Sequence, residues 1–403
     1  MWVIAALLFF QAASSPGADG IKALDEGRYD AAVQAFTQAI AADPQDYSAH
    51  FNLALAYGFL HHDAEGIAEY RKTLELKPGL YEAELNLGIL LLRQKSPADA
   101  LPLLQAAATQ KATEFRPRYY LGEAQLATGA AAPAEQSFRA AGELDPKSAD
   151  AQSGIAHALA QQDKLADAAP FFRRAAELNT DYRDGLLELA ALYEKNKQWP
   201  EAIEIYRQFA GNPAAEERLG MLLLQNKQYA EAIPRLETAY TKSPTNANRA
   251  ALAAAYVFNS QQDQALPLLE KAVTAEPANY DLRLMYAHAL RDKRQFPAAA
   301  QQFSEAAKLK PNDGSTWNEL GGALYMANDY PPALAAFDRA RQLGQGNAGN
   351  WFLRAIILDK LHQPKPALEA YQQFLSLSDG KNPDQEFQAR QRVKLLERET
   401  GKR

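Results

Sequence analysis

The chain has 403 residues, with 43 lysines and arginines against 49 aspartates and glutamates, and so a formal net charge of −6. The charges are interspersed without long single-sign blocks, which argues against broad nucleic-acid binding through phosphate neutralisation. Cysteine is absent, which excludes disulfides, thiolate zinc sites, cysteine nucleophiles and a lipidated cysteine.

At the N-terminus an apolar run from Trp2 to Phe10 precedes the small residues Ala12, Ala13, Ser14 and Ser15. Residues 1–15 read as a signal peptide cleaved near Ser14, which places the mature protein in the periplasm or outside the cell. No Lys or Arg precedes the run, so an uncleaved N-terminal anchor or a misplaced start codon is the other reading. The run is too short to cross a bilayer, which takes about 20 apolar residues.

From about residue 13 onward the sequence repeats itself. Small residues stand at Ala54, Gly88, Gly122, Ala156, Ala190, Gly220, Ala253, Ala287, Gly321 and Ala355. They are spaced by 34 residues, except for one interval of 30 before Gly220 and one of 33 before Ala253. A second small residue recurs at Ala32, Gly66, Ala100, Ala134, Ala168, Ala202, Ala232, Ala265, Ala299, Ala333 and Ala367. Four residues after each stands a large one: Phe36, Tyr70, Leu104, Phe138, Phe172, Tyr206, Leu236, Leu269, Phe303, Phe337 and Tyr371. A four-residue step puts both on one helix face, so each unit is expected to be two antiparallel helices crossing closely where the small residues lie.

Turn signals agree. Pro44, Pro78, Pro146, Pro244, Pro277 and Pro311 close units, while Gly27, Gly129, Asn196, Asn226 and Asn328 mark the tips between paired helices. Pro200, Pro297 and Pro331 begin second helices, where a missing N–H costs nothing. Pro102, Pro170, Pro234 and Pro267 fall four residues deeper, a recurrence that marks geometry rather than a site.

Seven residues after the second small residue another small one is usual, and Thr73, Phe209 and Phe374 depart from it. Phe374 precedes an expected terminal helix, about Pro383 to Glu399, that would cover the exposed end within residues 382–403. Phe209 lies mid-chain, just before Gly211-Asn212-Pro213 and beside the 30-residue interval. Residues 13–212 and 213–381 read as two blocks, which either meet at a changed angle or hinge near Gly211 or stack ordinarily through a tightened loop.

The period, the N-L-G of Asn86 to Gly88, the W-x-x-L-G of Trp317 to Gly321 and the series Ala333, Phe337, Ala340 resemble the tetratricopeptide repeat family. The resemblance runs through about eleven repeats, residues 13 to 381. It implies an all-α fold, a right-handed α-solenoid of antiparallel helix pairs with a C-terminal capping helix. Its concave groove, lined by each first helix, commonly binds peptides or other proteins.

On that frame the residues flanking each first-helix Gly or Ala face the groove. Asn52, Asn86 and Tyr120 stand two places before it, and consecutive asparagines resemble the ladders by which some family members hold a peptide backbone. Arg116, Tyr119, Tyr120 and Glu123 add amphipathic surface, with His157 one repeat on. The second half offers Ala254, Val257, Met285, Tyr325 and Phe352, so the peptide site is expected in the first half. Between Trp317 and Ala340 only Asn318, Gly322 and Tyr325 face outward. The lysine-asparagine pair of the carboxylate-clamp subfamily is not found, which disfavours chaperone C-termini as partners.

Little chemistry appears. His61-His62-Asp63 sits at a turn without a further ligand at helical spacing, so a solvated loop is preferred over a metal site. Asp150, Ser153 and His157 share one helix face at hydrogen-bonding spacing, but an open groove supplies neither oxyanion donors nor a dry pocket. No Gly-rich phosphate loop follows a strand. The tail from Arg390 to Arg403 is basic, as suits the solvated face of a capping helix. The expectation is a non-catalytic protein-interaction scaffold without metal or cofactor, ahead of a self-assembling envelope component and well ahead of an enzyme.

Overall fold

The computed structural model describes residues 15–345 and 347–401. The expected leader, through its expected cleavage point near Ser14, lies outside the described residues. All regular structure among the described residues is helical, and the chain divides into two compact units, residues 1–205 and 206–403.

The first unit runs through α1 (Ser15–Asp25), α2 (Tyr29–Ala42), α3 (Tyr47–Phe59), α4 (Asp63–Leu76), α5 (Tyr81–Arg93), α6 (Pro97–Gln110), α7 (Phe115–Ala127) and α8 (Ala131–Leu144). It continues with α9 (Ala149–Gln161), α10 (Leu165–Leu178), α11 (Asp184–Lys195) and α12 (Trp199–Tyr206), whose last residue opens the second unit. There follow α13 (Pro213–Gln225), α14 (Tyr229–Lys242), α15 (Asn246–Phe258), α16 (Gln262–Ala275), α17 (Tyr280–Asp292) and α18 (Phe296–Leu309). The unit ends with α19 (Gly314–Met326), α20 (Tyr330–Gln342), α21 (Ala348–Lys360), α22 (Pro364–Leu377) and α23 (Pro383–Gly401). Within each unit consecutive helices pack on one another as a solenoid of helix pairs.

The two kinds of helix begin differently. Several first helices start on a side-chain cap that satisfies otherwise orphaned N–H groups, as Asp46 does for α3, Ser148 for α9, Asn279 for α17 and Asp313 for α19. Second helices such as α4, α8 and α18 have no such cap. They start from a tight tip in which one residue takes the left-handed conformation: Gly27, His61, Lys95, Gly129, Asp163, Lys197, Lys227, Ser260, Arg294, Asn328 and His362.

These tips recur at the period of the sequence. At each, the following N–H reaches back to close the preceding helix, as from Arg28 to the Ala23 carbonyl at 2.8 Å and from Gln363 to that of Leu358 at 2.9 Å. That bond offsets the roughly 1 kcal/mol a side chain costs in this conformation. Two expected tip markers sit one place early, since Lys197 and Lys227 turn left-handed rather than Asn196 and Asn226.

The core is the small-on-large pattern made solid. Phe36, Tyr70, Leu104, Phe138, Phe172, Leu236, Phe303 and Phe337 are all buried. Each glycine of the first-helix series lies under the large side chain of its own repeat. A Cβ on Gly122 would stand 2.8 Å from the Phe138 ring, and one on Gly321 2.9 Å from Phe337. His61 is a left-handed tip residue and Asp63 forms an ion pair with Arg93, so turn geometry accounts for that histidine-rich stretch.

Each departure from the seventh-residue rule has a local cause. Thr73 is buried with its hydroxyl donated to the Glu69 carbonyl at 2.9 Å. Phe209 ends a short 3-10 turn, Arg207–Phe209, that cuts α12 to 8 residues where α10 has 14. That shortening is the form taken by the 30-residue interval. After it, Gly211 donates its N–H to Glu216 at 3.0 Å, Arg235 pairs with Glu216 at 3.2 Å, and Asn212 caps α13. Phe374 packs on Phe352 with ring centres 4.9 Å apart, beneath α23. Ala389 and Leu396 of α23 join that cluster, and Arg392 grips Asp359 with two bonds of 2.5 and 2.7 Å.

Candidate functional site

The first helices α7, α9 and α11 bring the half-buried side chains of the first unit together. On α7 the i, i+4 step aligns Phe115, Tyr119 and Glu123. Phe115 stacks on Tyr119 at 5.6 Å, and Tyr119 meets the edge of Tyr120 at 5.2 Å and the ring of Phe138 at 5.6 Å. Tyr119 is thus anchored from below by the packing ring of its own repeat. Burial pushes its hydroxyl pKa up, and the nearby Glu123 and Asp150 add to the rise.

Glu123 is the costly member. Burial lifts its carboxyl above the ordinary range and Asp150 adds to this, while the Tyr119 hydroxyl and His157 act in the opposite sense. Asp150 accepts a hydrogen bond from Tyr182, which lies in a 3-10 turn, Thr180–Arg183, ahead of α11. His157 packs edge-on against Phe172 at 5.0 Å, and its Nε2 lies 3.1 Å from Glu188. That pairing raises the His157 pKa and lowers that of Glu188. Arg116 neighbours Tyr120, whose hydroxyl is raised chiefly by burial and lowered by the guanidinium.

The asparagine ladder is corrected by the packing. Asn52 is 2% exposed and donates to the Ser48 carbonyl at 2.9 Å, and Asn86 is 1% exposed. At the equivalent place in α9, a Cβ on Gly154 would stand 2.5 Å from Phe138 of the preceding repeat. A residue here can therefore turn into the seam between repeats instead of the groove, and at Asn52 and Asn86 it does. The Asn86 amide and the Tyr70 hydroxyl are buried there side by side. Ala254 and Phe352, expected to offer groove surface in the second half, are also buried.

The serine and histidine spacing on α9 does not form a nucleophile and base. His157 Nδ1 lies 3.2 Å from the Ser153 hydroxyl but 2.7 Å from the Ser153 carbonyl, which accepts only from an N–H. With Nε2 directed at Glu188, both ring nitrogens donate and none is left to take a proton from serine. Asp150 is engaged by Tyr182 instead. Tyr182 and Glu188 thus complete the contacts of Asp150 and His157. Their signal was position, 32 residues after Asp150 and 31 after His157, close to one repeat.

The family model described as "Tetratricopeptide repeat" matches residues 64–117, 153–216, 187–247, 250–313 and 284–348, and one described as "TPR repeat" matches residues 23–58. The chain belongs to the tetratricopeptide repeat family. Its repeats support a protein-interaction scaffold role. Among solved structures, it is similar to MamA of AMB-1, at 27% identity over 42% of this chain and 99% of that one, with a TM-score of 0.40. MamA of MSR-1 aligns at 26% identity over 41% and 95%, TM-score 0.39. Residues 41 to the end of MamA from Desulfovibrio magneticus RS-1 align at 21% identity over 41% and 94%, TM-score 0.39. No curated protein matches.

The tetratricopeptide repeats of the second unit present a different inner face. A hollow of about 390 Å³ lies over α19, lined by Arg291, Asn318, Glu319, Gly322, Met326 and Asn350 among others. Glu319 and Arg291 neutralise each other at 2.5 Å. The paired glycines separate here, because a Cβ on Gly322 would meet nothing within 4 Å whereas one on Gly321 would strike Phe337. Among the described residues no group of three or more histidines or acidic residues could hold a metal ion, and no helix is long and apolar enough to cross a membrane.

Proposed function

We propose that the protein is a non-catalytic scaffold that holds an extended protein segment against α7, α9 and α11, with a basic side chain of that segment placed beside Glu123. The observation that carries this reading is the arrangement of two carboxylates, Glu123 and Asp150, around the half-buried Tyr119 and Tyr120, with Arg116 and His157 as the opposing charges and Glu188 paired to His157. A lysine or arginine there gains a carboxylate and two aromatic faces at once. Holding a carboxyl in a site that raises its pKa costs stability, and such costs concentrate where side chains have work to do.

The test is capture of partners from the native cell envelope by the full chain, by Glu123→Gln and by Tyr119→Ala, with cross-linking to locate the bound segment. Partners captured through a segment containing Lys or Arg should lose about ten-fold in affinity with Glu123→Gln, the effect of one charge-assisted hydrogen bond. Equal capture by all three proteins overturns the assignment.

A further inference from the structure

Between α18 and α20, with α19 as its floor, lies a cleft of about 770 Å³, a size typical of small-molecule sites. Its walls are unusual for this chain because side chains have been shortened. Ala300 follows the second-helix small residue Ala299 by one place, where most other repeats carry a branched aliphatic residue, such as Ile67, Leu101, Ile203, Leu266, Leu334 and Leu368, and Ala169 is the one other alanine. Ser304 stands where others have Arg71, Arg139 and Arg173, and Ala336 where Leu103, Phe171 and Leu268 stand in some repeats and Ala35 and Ala370 in others. Folding does not require the small residue at Ala300, since the two neighbouring repeats carry Leu266 and Leu334 there.

What remains is apolar along the cleft and charged at its two ends. Trp317 donates its indole N–H to the Pro311 carbonyl at 3.0 Å, so its polar atom is satisfied within the protein and its ring serves as wall. Arg339 lines the same end. Among the described residues its guanidinium touches only neutral acceptors, the Pro311 carbonyl at 3.5 Å, Asn312 at 3.4 Å and Gln342 at 3.5 Å. Its neighbour Asp338 pairs with Arg341 and Arg354 instead. Asp329 lies at the other end, ten residues earlier on the chain and so roughly 15 Å away along the helix.

We infer that this cleft binds a free single-chain aliphatic carboxylate, with its carboxylate on Arg339 and its chain running along Ala300, Ala336 and Leu324 toward Asp329. A guanidinium fork matches a carboxylate with two parallel hydrogen bonds. Asp329 sets the direction of entry, because it repels an anion at the far end. The site lies wholly within the second unit, so its fate is independent of the partner surface around Glu123.

The experiment is calorimetric titration of the full chain with monomeric dodecanoate, dodecanol and dodecyltrimethylammonium. The wild type should bind dodecanoate most tightly. Arg339→Gln should weaken dodecanoate about ten-fold and remove its advantage over dodecanol, while Asp329→Asn should cause no loss. Ala300→Leu restores the residue of four other repeats and should abolish binding with helicity and thermal midpoint kept; Ala336→Leu gives the same reading should Ala300→Leu misfold. Failure of the wild type to bind dodecanoate, unchanged binding in Arg339→Gln, or full binding in a folded cleft-filling variant each overturns the inference.

Discussion

The inner face of α7, α9 and α11 and the cleft between α18 and α20 are built on the same repeat, yet they depart from it in opposite ways. Around Tyr119 and Glu123 the variation adds large and charged side chains to first helices, and the site carries an electrostatic cost. Around Ala300 and Ala336 it removes side chains from second helices, and the site is a space. One tile thus carries both proposed recognition surfaces because its packing residues are separate from the positions that vary.

The comparison breaks first if the shared scaffold is broken. Phe138 is fully buried and lies against both Gly122 and Gly154, so it serves its own repeat and the next. Phe138→Ala should cost about 3–5 kcal/mol of unfolding free energy, read from the denaturant midpoint of the first unit's transition. Phe337→Ala should cost a similar amount in the second. A loss below about 1 kcal/mol at either would mean that the large residue is not the centre of the repeat.

Much of this was legible in the sequence, because packing residues recur and recurrence can be counted. Gly122 and Phe138 keep a fixed separation that Gly88 and Leu104 and Gly321 and Phe337 repeat, and the structure places each large side chain on its glycine. The capping helix was legible from Phe374, which breaks the small-residue rule where a last repeat needs cover. What failed was the facing of single positions. Asn52 and Asn86 share a register with Gly154, and whether that place opens to the groove or turns into the seam depends on the ring behind it. The roles of Tyr182 and Glu188 were not legible because each completes a contact begun one repeat earlier, which a search within one helix does not see. The cleft was invisible for a different reason, since small residues read individually as ordinary helix formers.

The paired glycines of α19 sharpen the comparison at smaller cost. Gly321→Ala puts a Cβ 2.9 Å from the Phe337 ring, and forcing that ring aside should destabilise the second unit by about 1–3 kcal/mol. Gly322→Ala meets open space and should stabilise it by about 0.5–1 kcal/mol, the usual gain of alanine over glycine within a helix. Thermal unfolding of the two variants side by side should show shifts of opposite sign. Shifts of the same sign would mean that the two glycines do not divide between packing and surface.

The smallest effects are those of pH on the first unit, and their signs distinguish its charged groups. Tyr119 of α7 and Asp150 and His157 of α9 face Glu123, whose pKa is raised from 4.5 in the folded protein. Its contribution therefore favours folding fully below 4.5 and is lost as pH rises through the folded value. Glu123→Gln should accordingly be more stable than the wild type at neutral pH, with the difference shrinking in acid, even as it weakens partner capture. His157 is raised from 6.5 and Glu188 lowered from 4.5. Their pair contributes most between those two values; it fades as pH rises through the folded pKa of His157, and in acid as pH falls through that of Glu188. His157→Gln should thus show its largest deficit inside that window, in a series of thermal midpoints against pH. A deficit that grows toward alkaline pH would mean that His157 is held neutral, and the Glu188 contact would then lose its place as the cause of the shift.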